Sequence, residues 1–281
     1  MKKLIINADD FGLHPLINKG IIKGHREGMI TSTSLMPSAP YFDEAVQLAK
    51  ANPSLGIGIH LTLVGGVKPA CRSGVNSLLT ADGVFAEDYT VFAKKWYTGS
   101  IKEAELEKEL TTQIEKVLAA GIKPTHIDSH QHMHVLPGIA GIVVRLCQKY
   151  GIKKIRMPGE NIFWSGGFKA GIGRKIGRDG LSFCTMLARS KAKGAGLVYP
   201  QHFFGMLAGG NLNKTLVRSI LLNLPDGTSE IMTHPGLDSA VLAQNFTWGY
   251  HWQDELNAFL DGDNKKIVRE HGIKLINFGG L

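Results

Sequence analysis

Along the whole chain, short apolar runs of strand length alternate with longer stretches of helical period. This alternation constrains the fold more tightly than any one motif. The strand-like runs are LIINAD (4–9), ITSTSLM (30–36), LGIGIHLTL (55–63), THIDSH (125–130), KKIRM (153–157), VYPQHFF (198–204), EIMTH (230–234) and IKLINF (273–278). The clearest helix lies over 101–120, where Leu106, Leu110, Ile114 and Leu118 recur every four residues and Gly121 is placed to end it. Further helices are expected over 15–27, 41–52, 137–150, 213–223 and 252–270. Strand and helix in strict succession call for parallel strands with helices packed outside. With 281 residues, 43% of them hydrophobic, the chain can bury one large core. The expected fold is α/β: a (β/α) barrel, regular or irregular, formed by residues 1–281 as a single domain. Residues 64–87 and 158–195 are Gly-rich and weakly periodic, and read as long insertions of the kind that build substrate clefts.

Several classes are disfavoured at once. No apolar run approaches the ~18 residues of a membrane span. The opening MKKLIINADDFG is broken by Asp9 and Asp10, which makes it a poor signal peptide and a good first strand. Cys71, Cys147 and Cys184 have no metal-type spacing and read as reduced thiols of a cytoplasmic protein. Net charge is +8, yet residues 145–193 alone hold twelve Lys/Arg against Glu160 and Asp179. Such a bias fits either a solvated basic face or an anionic partner. No helix-turn-helix, zinc-finger or stacking motif supports nucleic acid.

The chemistry concentrates in four stretches. THIDSHQHMH (125–134) places His126, Asp128, His130, His132 and His134 at alternate positions, a common face while the chain stays extended. Pro137 and the helical period after it suggest that the strand ends near His130, so these five side chains cannot all meet at one point. Imidazole with carboxylate is a common divalent-metal donor set, and hydrolytic sites typically use three protein ligands. In LGIGIHLTL, Ile57, Ile59, Leu61 and Leu63 point to helices, whereas Gly58, His60 and Thr62 face the barrel interior. His60 thus nears the carboxyl end of its strand, where barrel active sites lie. NADDFG (7–12) ends another strand with Asp9 and Asp10. On a regular strand these point to opposite sides, one toward a metal and the other offset; alternatively the pair caps a helix. MTHPG (232–236) ends a late strand with His234, suited to proton delivery. Arg156, in IRMP, could orient a carboxylate or a substrate oxygen.

Together and in this order, NADDFG, GIH, THIDSHQHMH and THPG resemble the YdjC-like (ChbG-type) carbohydrate deacetylases, with the hopanoid-associated deacetylases a similar branch. The resemblance covers nearly the whole chain. It implies a barrel of the polysaccharide-deacetylase type and one divalent metal ion, Mg or Zn foremost, held by Asp10, His60 and His130. It also implies Asp9 as general base and His234 as general acid, with Arg156 added to the catalytic set on the reading above. The implied activity is hydrolysis of an N-acetyl group from an amino sugar, releasing acetate. The substrate is expected to be a small oligosaccharide or a lipid-linked sugar such as an N-acetylglucosaminyl hopanoid. The segment holding Phe163, Trp164, Phe168, Lys169, Arg174, Lys175 and Arg178 suggests peripheral contact with an anionic membrane at its cytoplasmic face. A homodimer is a further expectation. The competing readings are a metal-dependent phosphoesterase on a similar barrel and a non-catalytic sugar- or lipid-binding protein.

Overall fold

A computed structural model describes residues 1–281. In chain order the strands are β1 (Lys2–Phe11), β2 (Ser32–Leu35), β3 (Gly56–Leu61), β4 (Ile127–Ser129), β5 (His202–Phe204), β6 (Gly227–Thr233) and β7 (Lys274–Leu275). The helices are α1 (Pro15–Arg26), α2 (Phe42–Lys50), α3 (Tyr89–Tyr97), α4 (Glu103–Ala119), α5 (Ile139–Lys149), α6 (Ile172–Gly194), α7 (Lys214–Leu222), α8 (Ser239–Asn245), α9 (Trp252–Leu260) and α10 (Gly262–Glu270). All strand pairings are parallel, in the order β4-β3-β2-β1-β6-β5. β1 is the hub: it pairs with β6 over Lys2–Ala8, with β2 beyond Asn7, and with β7 at Lys3 and Leu4.

Between the edge strands β4 and β5 there is no full ladder. The expected strand over 153–157 contributes only isolated bridges, Ile127 to Ile155 and Lys154 to Val198. A further bridge joins Glu160 to Phe203. The result is an incomplete, irregular (β/α) barrel, and the gap lies next to the site. Pro158 and Gly159 directly follow the run 153–157 and leave it too short to pair over more than a residue or two.

Most helices form where the sequence places them. The 252–270 helix is two helices, because the Asp261 side chain accepts from the Asp263 and Asn264 amides at 3.1 Å and starts a new N-terminus. The larger difference is in 158–195, which contains the 23-residue α6. Its period is masked because apolar residues lie on both faces: Thr185, Ala188 and Ala192 are buried, while Ile172, Ile176, Phe183 and Met186 are exposed. In 64–87 only a short 3₁₀ turn forms, over Asn76–Leu78. That loop is tied to α4 by the Ala70 and Cys71 amides, which donate to Glu109 at 2.8 and 2.9 Å.

Two glycines set the barrel's shape. Gly20 of α1 lies against the backbone of Gly236, so α1 can dock on the turn after β6. Gly58 faces the His126 ring, which is stacked on Phe278 at 3.7 Å between ring centroids. A Cβ at 58 would meet that ring, and Phe278 blocks its retreat. Gly58→Ala is therefore expected to cost about 1–3 kcal/mol of stability through overpacking, read as a lower urea midpoint with an unchanged m-value.

Candidate metal centre and catalytic cavity

The site begins with a fault in β1. Its pairing with β2 runs Asn7 to Ser32 and Ala8 to Thr33, then shifts register before Phe11 meets Leu35. At the shift Asp10 takes φ +67°, the left-handed region that aspartate enters more readily than most residues. Regular alternation would send Asp9 and Asp10 to opposite faces. The bulge brings both to one place: His60 Nε2 lies 3.9 Å from Asp9 Oδ2 and 3.6 Å from Asp10 Oδ1. His130, just past β4, puts Nδ1 3.0 Å from the same Asp10 oxygen. The chain then turns through left-handed Gln131 and His132, which ends the strand; His132 still reaches the cavity wall, while His134 turns into the interior.

One donor atom from each of Asp10, His60 and His130 falls within 4.8 Å of the others. Asp10 Oδ2 is buried with no hydrogen-bond partner, as expected of an oxygen shaped for a cation. Asp128 Oδ1 holds His60 Nδ1 at 2.8 Å and leaves Nε2 facing the cluster, the usual way a carboxylate orients a ligating histidine. These residues fit a divalent ion. A second triple, Asp9, His60 and Asp128, is also close. It fits poorly, because Arg156 donates to both Asp9 oxygens at 2.7 Å and lies 2.8 Å from Asp128 Oδ2.

Burial alone would discharge these groups, and their mutual field decides otherwise. For Asp10, burial is outweighed by His130, and the carboxyl stays well below its usual range. For His60, burial is outweighed by Asp128, Asp9 and Asp10, which push the imidazole up to about 10. The cluster thus favours a positive charge at the His60 position. Arg156 is fully buried and does not line the cavity; its guanidinium joins Asp9, Asp128 and Glu230. Of the two roles expected for it, orienting a carboxylate is the one the geometry realises.

His234 follows β6 at the far side. The Glu255 carboxylate of α9 fixes it, accepting the His234 amide at 2.5 Å, the Thr233 hydroxyl at 2.7 Å and the Leu212 amide at 3.0 Å. The His234 ring packs 4.8 Å from Tyr250, and its Nδ1 has no partner. Asp9, His60, His130 and His234 share one cavity of about 550 Å³, walled by Trp248, Tyr250, Arg174 and Met206. The sequence reading passed over the aromatic wall and Glu255; the density of TWGYHW (247–252) was the available signal for the former. His126 and His134 lie inside the fold away from the cavity, whereas His132 also lines it. His126 plugs the barrel floor, His132 meets Phe203 edge-on, and His134 sits between the Ser129 hydroxyl and the Arg156 carbonyl.

The family model for YdjC-like proteins matches residues 3–270. This chain belongs to the YdjC-like family. A carbohydrate deacetylase of Brevibacillus brevis is 35% identical, with 99% of each chain covered. One from Clostridium beijerinckii is 32% identical, with 98% of each covered. A crystal structure from Enterococcus faecalis V583, provisionally described as a cellobiose-phosphate cleavage protein, superposes with a TM-score of 0.79 at 28% identity. That match covers 99% of this chain and 98% of the other.

The buried histidines give the fold a pH dependence of known sign. Burial holds His126 near 3 and His134 near 4, and keeps His132 well below its usual value; burial also raises Glu230 to about 7. Between pH 6 and 5 the unfolded chain carries protons on these three histidines that the folded chain refuses. The folded chain carries one on Glu230 that the unfolded chain releases, and His60 is charged in both states. Unfolding therefore takes up about two protons, and stability should fall by roughly 1–3 kcal/mol per unit of acidification. Urea titrations of metal-free protein at pH 6 and pH 5 measure this, and equal midpoints would contradict neutral buried rings.

Proposed function

We propose that this chain is a metal-dependent N-deacetylase that releases acetate from an N-acetylated amino sugar. The observation that carries the reading is the bulge in β1, which brings Asp9 and Asp10 together at His60: Asp9, His60, His130 and His234 line one cavity, and Asp10 lies against His60 and His130 behind it. In this reading Asp10, His60 and His130 hold one divalent ion, Mg or Zn. When bound, such an ion polarises the acyl oxygen and makes water more acidic.

The chain's own residues do the rest. Asp9 is aimed by the two Arg156 N–H groups at 2.7 Å, and removes a proton from the attacking water. Across the cavity His234 delivers a proton to the departing amine nitrogen. Its backbone amide is held by Glu255 and its ring packs against Tyr250. Trp248 and Tyr250 present apolar faces on which a sugar ring can lie, while the polar groups gather at one end. Full-length similarity to proteins named carbohydrate deacetylases supports the substrate class. Ligands for a single ion favour acyl transfer over a two-metal phosphoesterase, because Arg156 occupies the alternative cluster. A binding protein without catalysis has no use for a base held by a fork of donors beside a proton donor. The three cysteines, none in a disulfide, support a cytoplasmic setting.

Two substitutions separate the roles. Asp10→Ala should weaken metal binding by at least about a hundredfold, measured by calorimetry on stripped protein. Asp9→Asn should leave metal affinity nearly unchanged and lower kcat by about 10²–10⁴-fold. Folding should survive Asp9→Asn, because Arg156 keeps Asp128 and Glu230. Acetate release from diacetylchitobiose and from an N-acetylglucosaminyl lipid, with metal-free enzyme as control, tests the reaction and ranks the substrates. Near-normal turnover in Asp9→Asn would reassign the base.

A further inference from the structure

The cavity's outer wall is α6, and its two faces differ from an ordinary surface helix. One face packs inward: Arg178, Thr185, Ala188 and Ala192 are buried, and Gly173, Arg174, Gly177 and Leu181 line the cavity. The opposite face should be polar. It carries Ile172 (80% exposed), Ile176 (67%), Phe183 (58%), Met186 (58%) and Leu187 (44%). At 3.6 residues per turn these five fall within an arc of about 100°. Phe163, 91% exposed on the preceding loop, adds a further apolar side chain. Scattered exposed apolar residues need no explanation, but a stripe along one helix does.

The charges beside the stripe identify what covers it. Lys175 and Lys193 flank one edge and Lys191 the other, all exposed. The one acid on this helix, Asp179, falls within the arc of the stripe, half-exposed, with its carboxylate paired with Arg178 at 2.7 Å. A second copy of the chain would bring lysines against lysines in either orientation: Lys175 against Lys175 if parallel, Lys175 against Lys191 and Lys193 if antiparallel. No acid on the helix is free to neutralise them. An apolar stripe edged by cations is instead the pattern of helices that lie in the surface of an anionic bilayer. No helix of the chain is long and apolar enough to cross one.

We propose that the outward face of α6 docks on an anionic lipid bilayer and so holds the cavity mouth at the membrane, where a lipid-borne amino sugar can enter. The docking stands on the surface alone; the nature of what enters rests on the deacetylase reading. The expectation that the whole basic segment faces the membrane is narrowed by this arrangement. Arg178 is internal, Arg174 donates to the Leu207 and Gly209 carbonyls, and Trp164 packs on Phe204.

Flotation of the full chain tests the proposal. With vesicles of phosphatidylcholine and phosphatidylglycerol, at least about tenfold more protein should float than with phosphatidylcholine alone, and the excess should fall as salt rises from ~0.1 to ~0.5 M. F183E/M186E should abolish flotation, and K175E/K193E should abolish the anionic preference. Both should keep the wild-type melting temperature and wild-type acetate release from diacetylchitobiose, because none of the four residues lines the cavity. Wild-type protein that stays at the bottom with anionic vesicles overturns the proposal, as does a K175E/K193E variant that floats normally. A dimer in light scattering that F183E/M186E dissociates, without flotation, assigns the face to a second copy and also overturns it. Failure of the wild type to release acetate from soluble sugar would count against the deacetylase reading and leave the flotation result untouched.

Discussion

One guanidinium organises the interior of this barrel. Arg156 is wholly buried and reaches three carboxylates, with Asp9 from β1, Asp128 from β4 and Glu230 from β6. Taking one cation and three anions out of water is costly unless charge and hydrogen bonds are both satisfied. Here two further adjustments meet the condition. Burial raises Glu230 to about 7, which eases the loss of its negative charge, and the carboxylates around His60 favour a positive charge there, a proton or a bound ion. The planar fork matters as well, because a lysine could not serve Asp9 with two parallel bonds while also holding Glu230 through a third nitrogen.

From this cluster the site is assembled outward in tiers. Asp128 links Arg156 to His60, since it holds the ring's Nδ1 and accepts from the Ser34 hydroxyl at 2.6 Å. His60 then faces Asp10, and Asp10 faces His130. Strands β1, β3 and β4 are thereby tied by side chains as well as by backbone ladders, and the donor atoms are aimed before any ligand arrives. On the other side Glu255 performs a similar service for His234, from a helix that packs against α1 and α7.

Much of this was legible in the sequence, and the misses have physical causes. Short apolar runs marked β1 and β6 and period-two alternation marked β3; Asp9 and Asp10 stood out because packing gives no reason for adjacent acids at a strand end, and His60 because it faces inward. Alternation along THIDSHQHMH does not separate His130 and His132, which reach the cavity, from His126 and His134, which do not, because left-handed Gln131 and His132 rotate the chain after His130. Strand 153–157 was overestimated, since a run of apolar and basic residues does not reveal that Pro158 and Gly159 stop its pairing. Helix α6 was missed because a residue pattern that is apolar on two faces has no single period. Glu255 and Glu230 gave no sequence signal at all; their importance comes from depth, and a lone glutamate in a helix or strand reads as solvent-facing.

The bulge in β1 has a consequence for how such a centre can be altered. Two neighbouring side chains converge on His60 only because the main chain itself gains a residue between Ala8 and Phe11. The directions of the two carboxylates are thus written into the backbone rather than chosen by side-chain rotamers. Transplanting the two aspartates into another barrel with a flat first strand would deliver one carboxylate to the cavity and the other to the helices. Any redesign must carry the kink along with the acids.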